Sequence, residues 1–187
     1  MPGVFRNWLC KARASQTAQR MRAHARSGSA ALEFAMVAPI FFLMTFAIIE
    51  TGVLYFSQAT LQYAATDAAR LVRTGQVQSG AMTQAAFRTQ VCNRIAPLLA
   101  CDTNLTIDMK AYPTGFGGAN YTTPLDANGN LNPNQSNFQP GNAGDVVLVR
   151  VLFTWPVMTP VLTPFLTNMS GNKHLLIATA AFRNEPF

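Results

Sequence analysis

The run Phe34–Ile49, FAMVAPIFFLMTFAII, is sixteen residues long and holds no charge. Extended back through Ser29-Ala30-Ala31-Leu32-Glu33, it reaches 21 residues. As a helix that length spans about 31 Å, which matches the hydrocarbon core of a bilayer. A removed secretory signal is the rival reading, but it needs a small-residue cleavage site directly after the apolar run. Here the run continues into Glu50-Thr51-Gly52-Val53-Leu54-Tyr55-Phe56. The expectation is a retained membrane helix over residues 29–56. Pro39 lies inside it, removes one backbone hydrogen bond and predicts a kink. Neighbouring helices can re-satisfy the freed carbonyl inside a membrane. Glu33 stands at the edge of the run, where an unpartnered acid drawn deep into lipid costs about 3 kcal/mol on insertion scales.

The net charge of +6 resembles a nucleic-acid signal until it is located along the chain. Arg6, Lys11, Arg13, Arg20, Arg22 and Arg26 all fall in residues 1–28, which contain no acid, and the remainder of the chain sums to zero. A neutral body has no basic footprint for nucleic acid. A basic segment directly before an apolar run is the mark of a cytoplasmic N-terminus under the positive-inside rule. Residues 1–28 therefore read as a basic leader with little reason to fold. Cys10 has no apolar run before it, which argues against a lipoprotein signal, and on the cytoplasmic side it stays reduced. Cys92 and Cys101 lie beyond the membrane helix. On an oxidising side they form a natural disulfide, worth about 3 kcal/mol on the chain-entropy account. The other reading is two unpaired cysteines packed in a core. A metal site lacks a third ligand, because neither a His nor another Cys is near.

Beyond Phe56 the helix is predicted to run on to about residue 74. Leu61, Ala65, Ala68 and Val72 recur at helical spacing, and Gly75 supplies a C-cap. A second helix is predicted over about Ser79–Ile95, with Ser79 as N-cap and Met82, Ala85, Cys92, Ala96 and Leu99 on its apolar side. The period then changes to two. Leu105, Ile107, Met109 and Ala111 alternate with Thr106, Asp108 and Lys110, a half-buried strand. Asp145–Trp155 and Leu175–Arg183 are further strands. Residues 113–144 hold six Gly, seven Asn and four Pro, the chemistry of a long surface loop. The fold class is α+β: a long N-terminal helix, a second helix and a small antiparallel sheet in a head spanning residues 57–187.

Catalytic chemistry finds little support. The two histidines are His24, in the leader, and His174, beside a strand. No nucleophile elbow, P-loop or zinc-protease pattern occurs. A Cys92 or Cys101 pair with His174 is the remaining nucleophile arrangement, while the plain reading of His174 is a surface residue at a strand start. Asp126-Ala127-Asn128-Gly129-Asn130 opens like a calcium loop. Leu131 and Asn137 then stand where the loop needs Gly and Glu, so the segment reads as a turn, with Asn128-Gly129 supplying positive φ. No enzyme activity, cofactor or metal is expected.

The N-terminal residues form a different constellation. Gly28 and Ser29 give a protease close access to the backbone at the membrane face. A cut there frees an α-amine at Ser29 with a reference pKa near 8. Glu33 stands one helical turn on, able to neutralise that amine or a neighbour's, and it complements the helix dipole. The simpler reading leaves Glu33 ionised at the interface.

Gly28, Glu33-Phe34, Pro39, the Ile48-Ile49-Glu50 exit with Gly52, and the Ala-rich Ala64–Arg70 segment together resemble the TadE-like family of minor pilins, or pseudopilins, of the Tad (Flp-type) pilus system. Asp145–Trp155, the C-terminal ATAAFRNEPF and the Cys92/Cys101 pair suit the family as well. The resemblance implies a prepilin peptidase substrate cut between Gly28 and Ser29. It implies a single-pass protein of the bacterial inner membrane, N-terminus cytoplasmic and head periplasmic, acting with other Tad pilins and assembly proteins in building an adhesive pilus. Glu33 would then contact an N-terminus within a filament. Ser29 departs from the Phe that classical type IV pilins place first, so methylation of the new terminus is not implied. The alternative is an uncleaved envelope protein with a structural periplasmic head.

Overall fold

The computed structural model describes residues 3–96, 98–101, 103–115, 117 and 123–187, with residues 3–28 and 135 described by backbone only. The chain divides into two compact units, Met1–Ile48 and Ile49–Phe187. A single helix, α1, covers Gly3–Arg73 and includes Pro39. It takes in the leader, which composition alone marked as having little reason to fold. The physical reason is the leader's Ala, Arg, Gln and Met content, all good helix formers. At its far end, α1 stops where expected. Gly75 adopts φ +75°, the left-handed conformation that a glycine enters without a Cβ penalty.

The predicted second helix is two pieces. α2 is a single turn, Gln76–Ser79, and α3 spans Gln84–Ile95. Ser79 is not the cap. Its hydroxyl donates back to the Gly75 carbonyl at 2.8 Å, and Thr83 caps α3 by accepting from the Ala86 N–H at 3.2 Å. The break falls at Gly80 and at Ala81, whose φ is +47°. The buried stripe of α3 is also different from the predicted one: Phe87, Val91 and Ile95 are fully covered, whereas Ala85 and Ala96 are exposed and Cys92 is half-buried. The larger side chains remove more apolar area from water, so they set the helix's rotation.

Three strands follow: β1 (Leu105–Tyr112), β2 (Val146–Pro156) and β3 (Lys173–Arg183). They form one antiparallel sheet in the order β1-β2-β3. Leu105 pairs with Phe153 and Tyr112 with Val146; Val146 pairs with Arg183 and Pro156 with Lys173. Directly paired residues share a face, so Ile107, Val151 and Ala178 form one row, and Leu105, Phe153 and Leu176 another. This face joins Leu61, Ala64, Ala65, Ala68 and Val72 of α1 and the α3 stripe in one core.

Both edges of the sheet are occupied. On the outer side of β1, Met109 donates to Asn137 O at 2.8 Å and accepts from the Gln139 N–H at 2.9 Å, so the returning loop adds a short parallel bridge. On the outer side of β3, Gln62 of α1 donates to Thr179 O at 3.0 Å and accepts from Thr179 N at 3.2 Å, while Gln58 donates to Ile177 O at 2.9 Å. The Gln62 amide takes the place of a neighbouring strand and blocks an edge that would otherwise pair with another chain.

Candidate functional site: the apolar helix and its folded unit

In the N-terminal unit the described side chains of Ser29–Ile48 make an apolar surface. Leu32, Phe34, Met36, Val37, Ile40, Phe41 and Phe42 are all exposed. Ser29–Arg73 is long and apolar enough to cross a membrane, and none of its most apolar window is buried within the protein. Ser29 Oγ donates to Glu33 Oε1 at 3.2 Å, so the one-turn spacing does bring the two side chains together. Gly28 lies within α1 directly before Ser29, and Phe34 and Pro39 follow on the same helix. The side chains of Cys10 and His24 fall outside the described residues.

In the second unit, Cys92 and Cys101 form a disulfide with a Cα–Cα distance of 5.7 Å. It joins the last turns of α3 to the approach to β1. Arg88 reinforces the same junction, donating to Cys101 O at 2.5 Å and Leu105 O at 3.4 Å. With both sulfurs in a disulfide, neither cysteine is a free thiolate, the species a nucleophile requires. The His174 ring sits against the Leu166 carbonyl.

Two polar clusters escaped the sequence reading. Asp108, placed by its alternation on a solvent face, is only 1 % exposed. β2 brings Arg150 directly opposite it, and the guanidinium forks onto Oδ2, with Nε at 2.9 Å. Asn137 satisfies Oδ1 through its side-chain amide at 2.7 Å. A charge pair formed across two strands leaves no mark in the period-two pattern, so only the register reveals it. The second cluster centres on Glu50, which accepts the backbone N–H groups of Met158 at 2.6 Å and Thr159 at 2.9 Å. These residues lie 108 and 109 positions apart in sequence from Glu50.

The Asp126 segment is a turn. Asp126 Oδ1 accepts from Asn128 N at 2.9 Å and Asn130 N at 2.8 Å. Gly129 alone of the Asn128-Gly129 pair has positive φ. This carboxylate is thus occupied by its own loop. Among the described residues no group of three or more His, Cys, Asp or Glu gathers in metal-binding geometry. Residues 116 and 118–122 of the 113–144 loop lie outside the described residues.

A shallow groove of about 490 Å³ runs between α1 and the end of β3, lined among others by Tyr63, Asp67, Arg70 and Phe182. Its walls carry no clustered nucleophile or paired acids.

The class defined by these features is an α+β protein whose first helix is apolar and membrane-capable and whose second unit is a helix-backed antiparallel sheet. Residues 28–70, under a quarter of the chain, match the model of a family described as TadE-like protein. The match begins at Gly28 and covers the apolar run together with most of the small-residue stripe. Comparisons with curated proteins and with solved structures found no match.

Proposed function

We propose that this chain is a minor pilin, or pseudopilin, of a Tad pilus. It is held in the bacterial inner membrane by residues 29–56, with residues 1–28 cytoplasmic and the C-terminal unit periplasmic. A prepilin peptidase cuts between Gly28 and Ser29, and the mature protein joins other Tad pilins and assembly proteins in forming an adhesive pilus. Its role is structural rather than enzymatic.

The observation that carries this reading is the coincidence of two boundaries. The family match begins at Gly28, and all of the chain's net positive charge lies before Ser29. Cleavage there would leave a neutral protein whose only new charge is the Ser29 amine. The 3.2 Å contact between Ser29 and Glu33 supports a carboxylate within reach of that amine. Glu33 serves either its own terminus or that of a subunit packed alongside with a small stagger. The α-helix runs through the scissile bond, so the peptidase must open it locally. Gly28 lowers that barrier, since glycine inside a helix is about 1 kcal/mol less favourable than alanine.

Intact-mass measurement of the membrane-extracted protein tests the processing. A chain beginning at Ser29 in cells with an active prepilin peptidase, and at Met1 in cells without one, is expected. A chain beginning at Met1 in both would replace this reading with that of an uncleaved envelope protein. Glu33→Ala is expected to insert normally and to abolish piliation. Normal pili from that variant would remove the neutralisation role.

A further inference from the structure

The connection between β2 and β3 covers residues 157–172, and its first part, 157–167, exposes large apolar side chains. Met158 is 73 %, Val161 50 % and Phe165 80 % exposed. No charged residue occurs between Arg150 and Lys173. Its backbone is nevertheless well satisfied. Val157 N donates to Asn172 O at 3.0 Å, Leu162 N to Thr159 O at 2.9 Å and Thr167 N to Thr163 O at 3.1 Å. The threonine hydroxyls turn inward too, Thr163 onto Pro160 O at 2.8 Å and Thr167 onto Thr163 O at 2.7 Å. Pro160 and Pro164 have no N–H to satisfy. A segment with closed hydrogen bonds, no charge and exposed apolar side chains is built for a medium drier than water.

One carboxylate decides where this segment sits. Glu50 holds the Met158 and Thr159 N–H groups, and it is the first charged residue after the run Phe34–Ile49. The step from Glu33 to Glu50 spans about 26 Å as a helix, close to the hydrocarbon thickness of about 30 Å. Two acids therefore bracket the run, and Glu50 lies at the level where hydrocarbon gives way to headgroups. Anything hydrogen-bonded to Glu50 lies there as well. Tyr55, exposed shortly beyond it, is a side-chain type suited to that boundary.

We infer that residues 157–167 are a membrane-interface loop. Met158, Val161 and Phe165 rest in the headgroup and upper acyl region of the outer leaflet, and Glu50 ties them to the spanning helix. The inference rests on the membrane-spanning orientation proposed above. The loop's two hydrogen bonds to Glu50, the first charge after the apolar run, select lipid as the occupant.

The test uses the full-length chain in vesicles of phosphatidylethanolamine and phosphatidylglycerol, with acyl chains brominated either near the headgroup or near the bilayer centre. Phe165→Trp reports the loop and Phe42→Trp the apolar run. Ala143→Trp reports a solvent-exposed position in the turn before β2. The signal of the parent's own Trp8 and Trp155 is subtracted. Shallow bromines are expected to extinguish most of the Phe165→Trp emission, deep bromines most of the Phe42→Trp emission, and neither the Ala143→Trp emission. Unquenched Phe42→Trp would overturn the spanning reading itself. Quenched Phe42→Trp with unquenched Phe165→Trp would overturn the interfacial loop alone. A blue-shifted but unquenched Phe165→Trp would show that a second copy of the chain covers the patch, which also overturns it. Adding Glu50→Gln, which leaves one acceptor oxygen for two N–H groups, should weaken the Phe165→Trp quenching without changing Phe42→Trp. Full quenching with Glu50→Gln would refute the tether.

Discussion

Replacing Asp108 with alanine puts the sheet's polar interior to its most direct test. Arg150 is 8 % exposed and paired to a carboxylate that is 1 % exposed. Asp108→Ala would leave the guanidinium in that position without its fork, and would free the Asn137 amide from its 2.7 Å bond. Removing one partner of a buried ion pair costs about 3–5 kcal/mol. The compact unit Ile49–Phe187 unfolds with an entropy of about 0.3 kcal/mol/K at the usual per-residue value. The expected loss of melting temperature is then about 10–17 °C. The assay is thermal unfolding of the full-length, oxidised protein in detergent, followed by near-ultraviolet circular dichroism. That signal reports packing around the buried Trp155 rather than the helicity of α1. The partner experiment is the double variant Asp108→Leu with Arg150→Met. An apolar pair of similar volume is expected to lie within about 1 kcal/mol of the parent, or above it, because the desolvation of both charges is relieved. Two results would refute the reasoning. One is an Asp108→Ala loss below about 1 kcal/mol, the value of an exposed pair. The other is a double variant as unstable as Asp108→Ala alone, which would mean that the pair contributes more than it costs to bury.

Reduction, or Cys92→Ser with Cys101→Ser, should lower stability by about 3 kcal/mol through the freed loop, read as a drop in denaturant midpoint with and without reductant. Gly75→Ala should cost about 1–3 kcal/mol for the left-handed backbone alone; its Cβ would also fall 2.4 Å from Phe187 Cγ, so adding Phe187→Ala should recover part of the loss in a thermal melt. Gln62→Leu removes the amide that pairs with Thr179 and should expose the β3 edge to other chains, seen as new oligomers in light scattering of the detergent-solubilised protein.

The periodicities of the chain were legible because they follow from geometry that acts locally. A charge-free run long enough for a bilayer, a four-three-four stripe of small residues and a two-residue alternation each imply their element without knowledge of a partner. The turn at Asp126 and the end of α1 at Gly75 were legible for the same reason, since side-chain caps and positive φ act within a few residues. The N-cap of α3 was not. Ser79 and Thr83 are both competent caps, and what chose Thr83 was the burial of Phe87, Val91 and Ile95 against the sheet.

The candidate site divides along the same line. Gly28, Ser29, Glu33, Phe34 and Pro39 lie within one helix, where sequence spacing and spatial neighbourhood are the same thing. Glu50 looked like the residue that merely ended the apolar run, because its partners come from the β2–β3 connection. Asp108 looked like an ordinary exposed strand residue until the register set Arg150 opposite it. The sequence by itself determined the apolar helix, its charge asymmetry and the set of strands, since each is written in residues close together along the chain. Only the tertiary structure decided which acids are buried, which sheet edge Gln62 closes and what Glu50 holds, because a hydrogen bond between distant residues exists only once the chain has brought them within reach.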